Sequence, residues 1–104
     1  MLPKSKRIPR KSFPEIIKTG KIFNSNHFTL RKSSSKELRV AVSVSKKVSK
    51  KAVIRNRTRR RVYSSMRKLL PFLEFGLYLI IAKVGADKLK GELLESELKK
   101  LFRI

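Results

Sequence analysis

The sequence contains no cysteine and only one histidine among its 104 residues. Disulfide bonds and thiolate metal sites are therefore excluded. The single histidine, His27, has no acidic or histidine partner at the spacing that metal binding or acid–base chemistry requires. We interpret His27 as a surface or turn residue, and we expect no catalytic side chain, no metal site and no protein-bound cofactor in this chain.

Acidic residues are scarce too, with 7 Asp and Glu against 28 Lys and Arg, which gives a net charge of +21. So large a charge makes copies of the chain repel one another and favours a polyanionic partner, either nucleic acid or an anionic membrane. The acids are scattered, and four of them stand close to the C-terminus: Asp87, Glu92, Glu95 and Glu97. The pattern argues against an enzyme that works with its own side chains.

Long hydrophobic runs are also missing. The longest, residues 77–82, is far shorter than the roughly 20 residues of a membrane span. The basic N-terminus lacks the apolar segment of a signal peptide, so we expect a cytoplasmic protein without a membrane partner. The length and the 40% hydrophobic content indicate one globular domain over residues 1–104. Residues 1–11 form a basic segment that we expect to stay extended until it docks.

The periodicity predicts the order helix, strand, strand, helix, strand, helix, which is typical of an α/β (α+β) two-layer sandwich with a small mixed sheet and three helices. The predicted elements are residues 12–20, 27–32, 38–45, 49–70, 76–84 and a C-terminal helix marked by Leu89, Leu93, Leu94, Leu98, Leu101 and Phe102. Segment 76–84 is the most apolar strand, so we place it at the centre of the sheet.

Segment 38–45 alternates strictly, which assigns its two faces. Leu38, Val40, Val42 and Val44 point to one side, whereas Arg39, Ala41, Ser43 and Ser45 point to the other. The second face is mostly small and polar, and an extended nucleic-acid backbone could lie close to it.

Five arginines crowd into residues 55–61, and no acidic residue stands between Glu37 and Glu74. In a helix, each like-charged pair four residues apart destabilises by roughly 0.2–0.5 kcal/mol, so the fold gains nothing from this composition. The apolar stripe of the predicted helix is Ile54, Thr58, Val62, Met66 and Leu69. Opposite it lies a basic ridge: Arg57, Arg60 and Arg67, flanked by Lys50, Arg61 and Lys68. Such a ridge suits nucleic-acid phosphates.

Arg55 does not fit this division, because the helical wheel places it inside the apolar arc beside Val62. Either its long side chain reaches out to the edge of the sheet, or it is held there to contact a ligand along that edge.

The stretch "SVSKKVSKKAVIRNRTRRRV", residues 43–62, resembles the signature of the bacterial ribonuclease P protein component. The shared elements are a strand ending in Val-Ser-Lys-Lys and a helix carrying Ala-x-x-Arg-Asn-Arg-x-x-Arg. The resemblance extends over nearly the whole chain. Three positions depart from the family pattern. Thr58 stands where the family usually has Ile or a similar residue, and Tyr63 stands where it often has a basic residue. Arg31 stands where an aromatic residue is often found on the first strand.

The resemblance implies a ribonucleoprotein in which a catalytic RNA, with bound Mg²⁺, removes the 5′ leader of precursor tRNA. No further protein partner is implied, and the strand–helix–strand crossover would be left-handed, against the general rule. The implied RNA-binding residues are Lys46, Lys47, Lys50, Lys51, Arg55, Asn56, Arg57, Arg59, Arg60 and Arg61. The implied leader-binding cleft, between the first helix and the sheet, comprises Phe13, Ile17, Arg31, Arg39, Ser43 and Ser45.

Several alternatives stay open. Phe13 suits either a stacking surface or the core, Ile17 suits the core as well as the cleft, and Phe23 and Phe28 suit either. A ribosomal or other structural RNA-binding protein would share the charge, size and arginine-rich helix. A DNA-binding protein is disfavoured because no second helix is placed for a helix-turn-helix. A membrane-surface role lacks a wide, aromatic-rich apolar face.

Overall fold

The computed structural model describes Ile8, Lys18 and residues 20–104. In this part of the chain, strands β1 (Lys21–Asn24), β2 (Phe28–Ser33) and β3 (Leu38–Ser43) precede helix α1 (Ala52–Leu69). Strand β4 (Gly76–Ala82) and helix α2 (Gly91–Phe102) follow, and two short 3-10 turns, Leu70–Phe72 and Ala86–Lys88, connect them. The class, a mixed sheet combined with helices, is the predicted one.

The strand order in the sheet is β1-β2-β4-β3. Strand β2 pairs antiparallel with both β1 and β4, whereas β3 pairs parallel with β4. The sheet is therefore mixed and β4 lies inside it, as the sequence predicted. Helix α1 makes the crossover between the parallel strands β3 and β4; the hand of that crossover stays a prediction.

Two features of the predicted element order are not confirmed. Strand β1 was not expected, so the described sheet has four strands rather than three. The predicted first helix, residues 12–20, lies outside the described residues except for Lys18 and Gly20, and the order with three helices is not confirmed.

The main core lies between the two helices and one face of the sheet. Its members include Phe28, Leu30, Val40, Val42, Val44, Val62, Met66, Leu69, Ile80, Leu94, Leu98 and Leu101. The predicted alternation of segment 38–45 is thereby confirmed, since Val40, Val42 and Val44 are buried in this core and Leu38 packs against it. Phe28 is fully buried, and Phe23 is a half-buried residue at the core's edge.

Helix α1 begins three residues later than predicted, at Ala52 rather than residue 49. The backbone N–H groups of Lys47 and Lys51 donate to the hydroxyl groups of Ser45 and Ser49, each over 3.2 Å. Such local side-chain bonds offer the backbone an alternative to helical hydrogen bonding. At its other end α1 runs directly into the 3-10 turn that contains Pro71.

Neither helix of the described region has the length and apolarity that crossing a membrane requires.

Candidate nucleic-acid interface

The basic ridge is present on α1. Arg57, Arg60 and Arg67 are exposed, whereas Thr58, Val62, Met66 and Leu69 are buried on the opposite side of the helix. At 1.5 Å per residue, the 18 residues of α1 extend over about 27 Å. The exposed arginines thus form a long positive surface, as the helical wheel predicted.

The two residues flanking the ridge on its α2 side also have contacts within the protein. Arg61 donates through Nη1 to the backbone carbonyl of Asp87 over 3.2 Å. Lys68 Nζ lies 3.8 Å from Glu95 Oε2 on α2. These contacts help to tie α1 to the segment that follows β4, so Arg61 and Lys68 combine a structural contact with their positive charge.

Arg55 turns back toward the start of its own helix. Its Nη1 donates to the carbonyl oxygens of Ser49, at 3.0 Å, and Lys50, at 2.9 Å. The sequence suggested that Arg55 reaches out to the edge of the sheet or is held there to contact a ligand, and neither describes this arrangement. Arg55 braces the segment before α1, residues 45–51, which we call the basic loop; its four lysines, Lys46, Lys47, Lys50 and Lys51, are exposed.

Asn56 has a comparable local role, because its Oδ1 accepts a hydrogen bond of 2.7 Å from Nη1 of Arg59. The bond holds a guanidinium group on the surface of α1 in a defined position. Arg55 and Asn56 are thus placed to orient neighbouring cationic groups, while Arg57 and Arg60 project from the helix.

The face of the sheet away from the main core, which we call the outer face, carries most of the described residues of the predicted leader cleft. Register pairs Arg31 with Leu79 and Leu79 with Ala41. In the two neighbouring rows, Leu77 of β4 pairs with Ser33 on one side and Arg39 on the other. Ile81 likewise pairs with Thr29 and with Ser43. Arg31, Arg39 and Ser43 therefore share this face. Phe13 and Ile17 lie outside the described residues.

The sequence did not reveal that the middle of the outer face is apolar. Leu77, Leu79 and Ile81 run along its centre. The small polar residues lie on the strands to either side, Ser43 on β3 and Thr29 and Ser33 on β2. Ile8 lies on the apolar stripe, buried to 7% exposure with Ala41 and Leu79, and its N–H donates to the Val40 carbonyl over 3.3 Å. Ile8 thus covers part of the outer face.

The outer face and the basic loop are continuous. The half-buried Ser43 is the last residue of β3. The exposed Ser45 lies two residues further on, directly before Lys46. Arg39 sits at the other end of β3, where its Nε lies 2.6 Å from Glu37 Oε2. One path therefore leads along β3 from Arg39 through Ser43 and Ser45 into the lysines of the loop.

His27 has a partner that its place in the sequence did not indicate. Its Nδ1 lies 2.6 Å from Glu97 Oε1, and its backbone N–H donates to Glu97 Oε2 over 2.8 Å. The Ser25 hydroxyl also donates to Oε2, over 2.7 Å. His27 is a turn residue, as predicted, but the expectation that it has no acidic partner is wrong, because folding brings together residues 70 positions apart.

The pKa of Glu97 reflects this setting. Burial by itself raises the pKa, but the hydrogen bonds from His27 and Ser25, with the charge of His27, outweigh burial and lower it from its usual value of 4.5. The carboxylate is therefore held ionised, and it fastens α2 to the turn between β1 and β2.

A basic helix and loop beside a sheet face that carries two arginines are the features of an RNA-binding protein of mixed α/β fold. The Ribonuclease P family model matches residues 2–104, which is nearly the whole chain. The chain belongs to the ribonuclease P protein family, whose members are subunits of a ribonucleoprotein endoribonuclease.

Curated relatives agree with this assignment. The chain is 37% identical to the ribonuclease P protein component of Microcystis aeruginosa, over 97% of this chain and 91% of the relative. It is 35% identical to that of Picosynechococcus, over 97% and 90%.

Solved structures show the same fold. The RNase P protein of Staphylococcus aureus superposes with a TM-score of 0.86 at 23% identity, covering 96% of this chain and 94% of that one. The RNase P protein of Thermotoga maritima gives 0.81 at 22% identity, covering 94% and 96%.

Proposed function

We propose that this protein binds the RNA of ribonuclease P through the basic ridge and the basic loop, and that its outer face holds the single-stranded 5′ leader of precursor tRNA. The observation that carries the proposal is the continuity along β3. It lets one protein contact a structured RNA with its helix and loop while a single strand follows the adjoining sheet.

The outer face has the chemistry that a single strand needs. Arg31 on β2 and Arg39 on β3 lie on either side of the central strand β4 and supply positive charge for phosphates. Leu77 and Ile81, both half-buried, offer apolar surface for bases and riboses on the two sides of Leu79, which is itself buried against Ile8. The small side chain of Ser43 allows the strand to approach the sheet closely. Contacts of this kind depend little on the leader's sequence.

The chain would promote cleavage by supplying positive charge rather than a reacting group. Among the described residues, no cluster of three or more His, Cys, Asp or Glu could hold a metal ion. In this proposal the RNA binds the Mg²⁺ needed for hydrolysis and carries out the reaction. The protein would raise substrate affinity, lower the Mg²⁺ requirement, and act in the cytoplasm without another protein partner.

The test is cleavage of precursor tRNA by a bacterial ribonuclease P RNA at low Mg²⁺, with and without the protein. We expect the protein to restore cleavage at the correct 5′ position. Arg57→Ala should weaken RNA binding and reduce the slope of log affinity against log salt by about one, because an exposed phosphate contact is lost. Arg55→Ala should weaken binding by releasing the basic loop.

Binding to the RNA without any gain in cleavage would instead favour a structural RNA-binding role. That alternative predicts the same salt dependence, so the cleavage assay is the measurement that separates the two functions.

A further inference from the structure

A groove on the helix side of the sheet is not used by either proposed RNA contact. It has a volume of about 270 Å³ and lies where the end of α1, the strands β1 and β2, and the last residues of the chain meet. Four aromatic side chains line it: Phe23, Phe72, Tyr78 and Phe102. Phe72 is 71% exposed although it is a large apolar residue, so its ring is accessible to a ligand.

Cationic groups are interleaved with these rings. Lys32 Nζ lies 5.6 Å from the centre of the Tyr78 ring, and the Arg103 guanidinium lies 5.1 Å from the centre of the Phe23 ring. Aromatic rings combined with Lys and Arg are typical of sites that bind unpaired nucleotides, because bases stack on the rings and phosphates pair with the cations.

The size and the acidic residue of the groove narrow the choice of ligand. Its volume lies just below the roughly 300 Å³ at which pockets for drug-sized molecules begin, so it suits one small planar group. Glu74 also lines it, with its carboxylate 3.8 Å from Lys32 Nζ. A carboxylate accepts hydrogen bonds from the exocyclic amino group of a base, whereas it repels a phosphate.

The position of the groove indicates which RNA would fill it. Lys32 and Tyr78 are opposite each other in the register, one position along from Arg31 and Leu79, so they lie on the other side of the sheet from the outer face. A leader that follows the outer face runs on the side of the sheet away from the groove. Helix α1, in contrast, leads from the basic loop at its start to Phe72 just beyond its end.

We propose that this groove binds a single unpaired nucleobase of the ribonuclease P RNA. The inference rests on the proposed binding of that RNA by α1 and adds a second, non-ionic contact to it. Stacking on Phe72 would fix the end of α1 on the RNA, while Arg103 would contact an adjacent phosphate.

The chain offers a matched pair of variants for the test. Phe72 and Phe75 are both 71% exposed, but only Phe72 lines the groove. We expect Phe72→Ala to weaken binding of the full protein to a bacterial ribonuclease P RNA by roughly five- to 150-fold, the range for loss of one stacked base. Phe75→Ala should change affinity less than about twofold. Phe72→Leu, which keeps the apolar surface, should lose most of the affinity that Phe72→Ala loses.

Two further readouts identify the contact. The salt dependence of binding should be the same for Phe72→Ala as for the unmodified protein, because stacking releases no counterions. A photoreactive phenylalanine analogue at position 72 should crosslink to an unpaired nucleotide of the ribonuclease P RNA in the holoenzyme.

Equal effects of Phe72→Ala and Phe75→Ala, or a crosslink to the precursor tRNA instead, would overturn the proposal. Either result would leave the proposed function standing if the unmodified protein still restores cleavage. Failure of that cleavage assay would contradict the proposed function separately.

Discussion

Ser43 is the residue at which the leader-binding proposal can be tested with one change. It lies on the outer face, opposite Ile81 in the register. Ser43→Glu places a negative charge where leader phosphates would lie, so precursor tRNA affinity of the holoenzyme should fall roughly tenfold. Affinity for mature tRNA, which has no leader, should stay unchanged. Equilibrium binding of the two tRNAs measures both effects.

Ser96→Glu provides the control, because it changes the net charge equally at an exposed position of α2, on the helix side of the sheet. It should affect both tRNAs slightly and to the same extent. If the two variants behave alike, the loss at Ser43 reflects net charge alone, and the assignment of the leader to the outer face is wrong.

Glu97 gives a prediction at the same scale about stability and pH. The folded state lowers its pKa below 4.5, so its ionised contacts stabilise the protein above that pH and are lost as pH falls through the lowered pKa. Glu97→Gln should reduce the free energy of unfolding by about 1–3 kcal/mol at pH 7. The difference between the two proteins should shrink toward zero at pH 3.

Urea unfolding of both proteins at pH 7 and pH 3 measures this difference. A difference that stays constant between the two pH values would show that the loss arises from packing, and that ionisation of the carboxyl group plays no part.

Strand β3 lies at an edge of the sheet, and helix α1 satisfies part of that edge. The buried Val42 N–H donates to the Tyr63 hydroxyl over 3.1 Å. Tyr63→Phe would leave this N–H group unpaired in the core, so we expect the free energy of unfolding to fall by about 1–3 kcal/mol. Chemical denaturation measures the change.

Tyr78→Phe is the comparison for this prediction. The Tyr78 hydroxyl donates to the carbonyl of Glu74, an exposed residue, over 2.8 Å. Water can replace that partner, and the cost should therefore stay below about 1 kcal/mol. If the loss in Tyr63→Phe is no larger than in Tyr78→Phe, the bond to β3 is not what stabilises the edge.

Elements with a strong internal pattern were predictable from the sequence. The apolar stripe of α1 and the alternation of β3 each identify a buried side, and the apolar run of β4 indicates an interior strand. Strand β1 has no such pattern: it is four residues long and Ile22 is 52% exposed. It is a strand because β2 offers it an edge, which is a property of the assembled sheet.

The same distinction applies to the sites of the whole molecule. The arginine and lysine residues of the ridge and loop lie within residues 46–68, so charge and resemblance were enough to mark them as candidates for RNA binding. The aromatic groove combines Phe23, Lys32, Phe72, Tyr78 and Arg103 from five parts of the chain. The bond between His27 and Glu97 likewise joins distant segments. No local pattern signals contacts that depend on the tertiary fold.

The net charge of +21 is a property of the whole molecule and should govern its stability. The molecule measures 34 × 27 × 25 Å. In 10 mM salt the screening length is about 30 Å, so nearly every charge interacts with every other, whereas at 150 mM it is about 8 Å. Raising NaCl over this range should therefore increase the free energy of unfolding, by about 1–3 kcal/mol.

Sulfate at equal ionic strength should stabilise the protein further, because an anion that binds the folded ridge adds its binding free energy to folding. The double variant Arg57→Gln, Arg60→Gln removes two exposed charges of the ridge. It should be more stable than the unmodified protein at 10 mM salt, and it should gain less from sulfate. Thermal unfolding of both proteins in NaCl and in sodium sulfate measures these effects. A stability that does not respond to salt would mean that the positive charges do not oppose folding; an equal sulfate gain in both proteins would place anion binding away from the ridge.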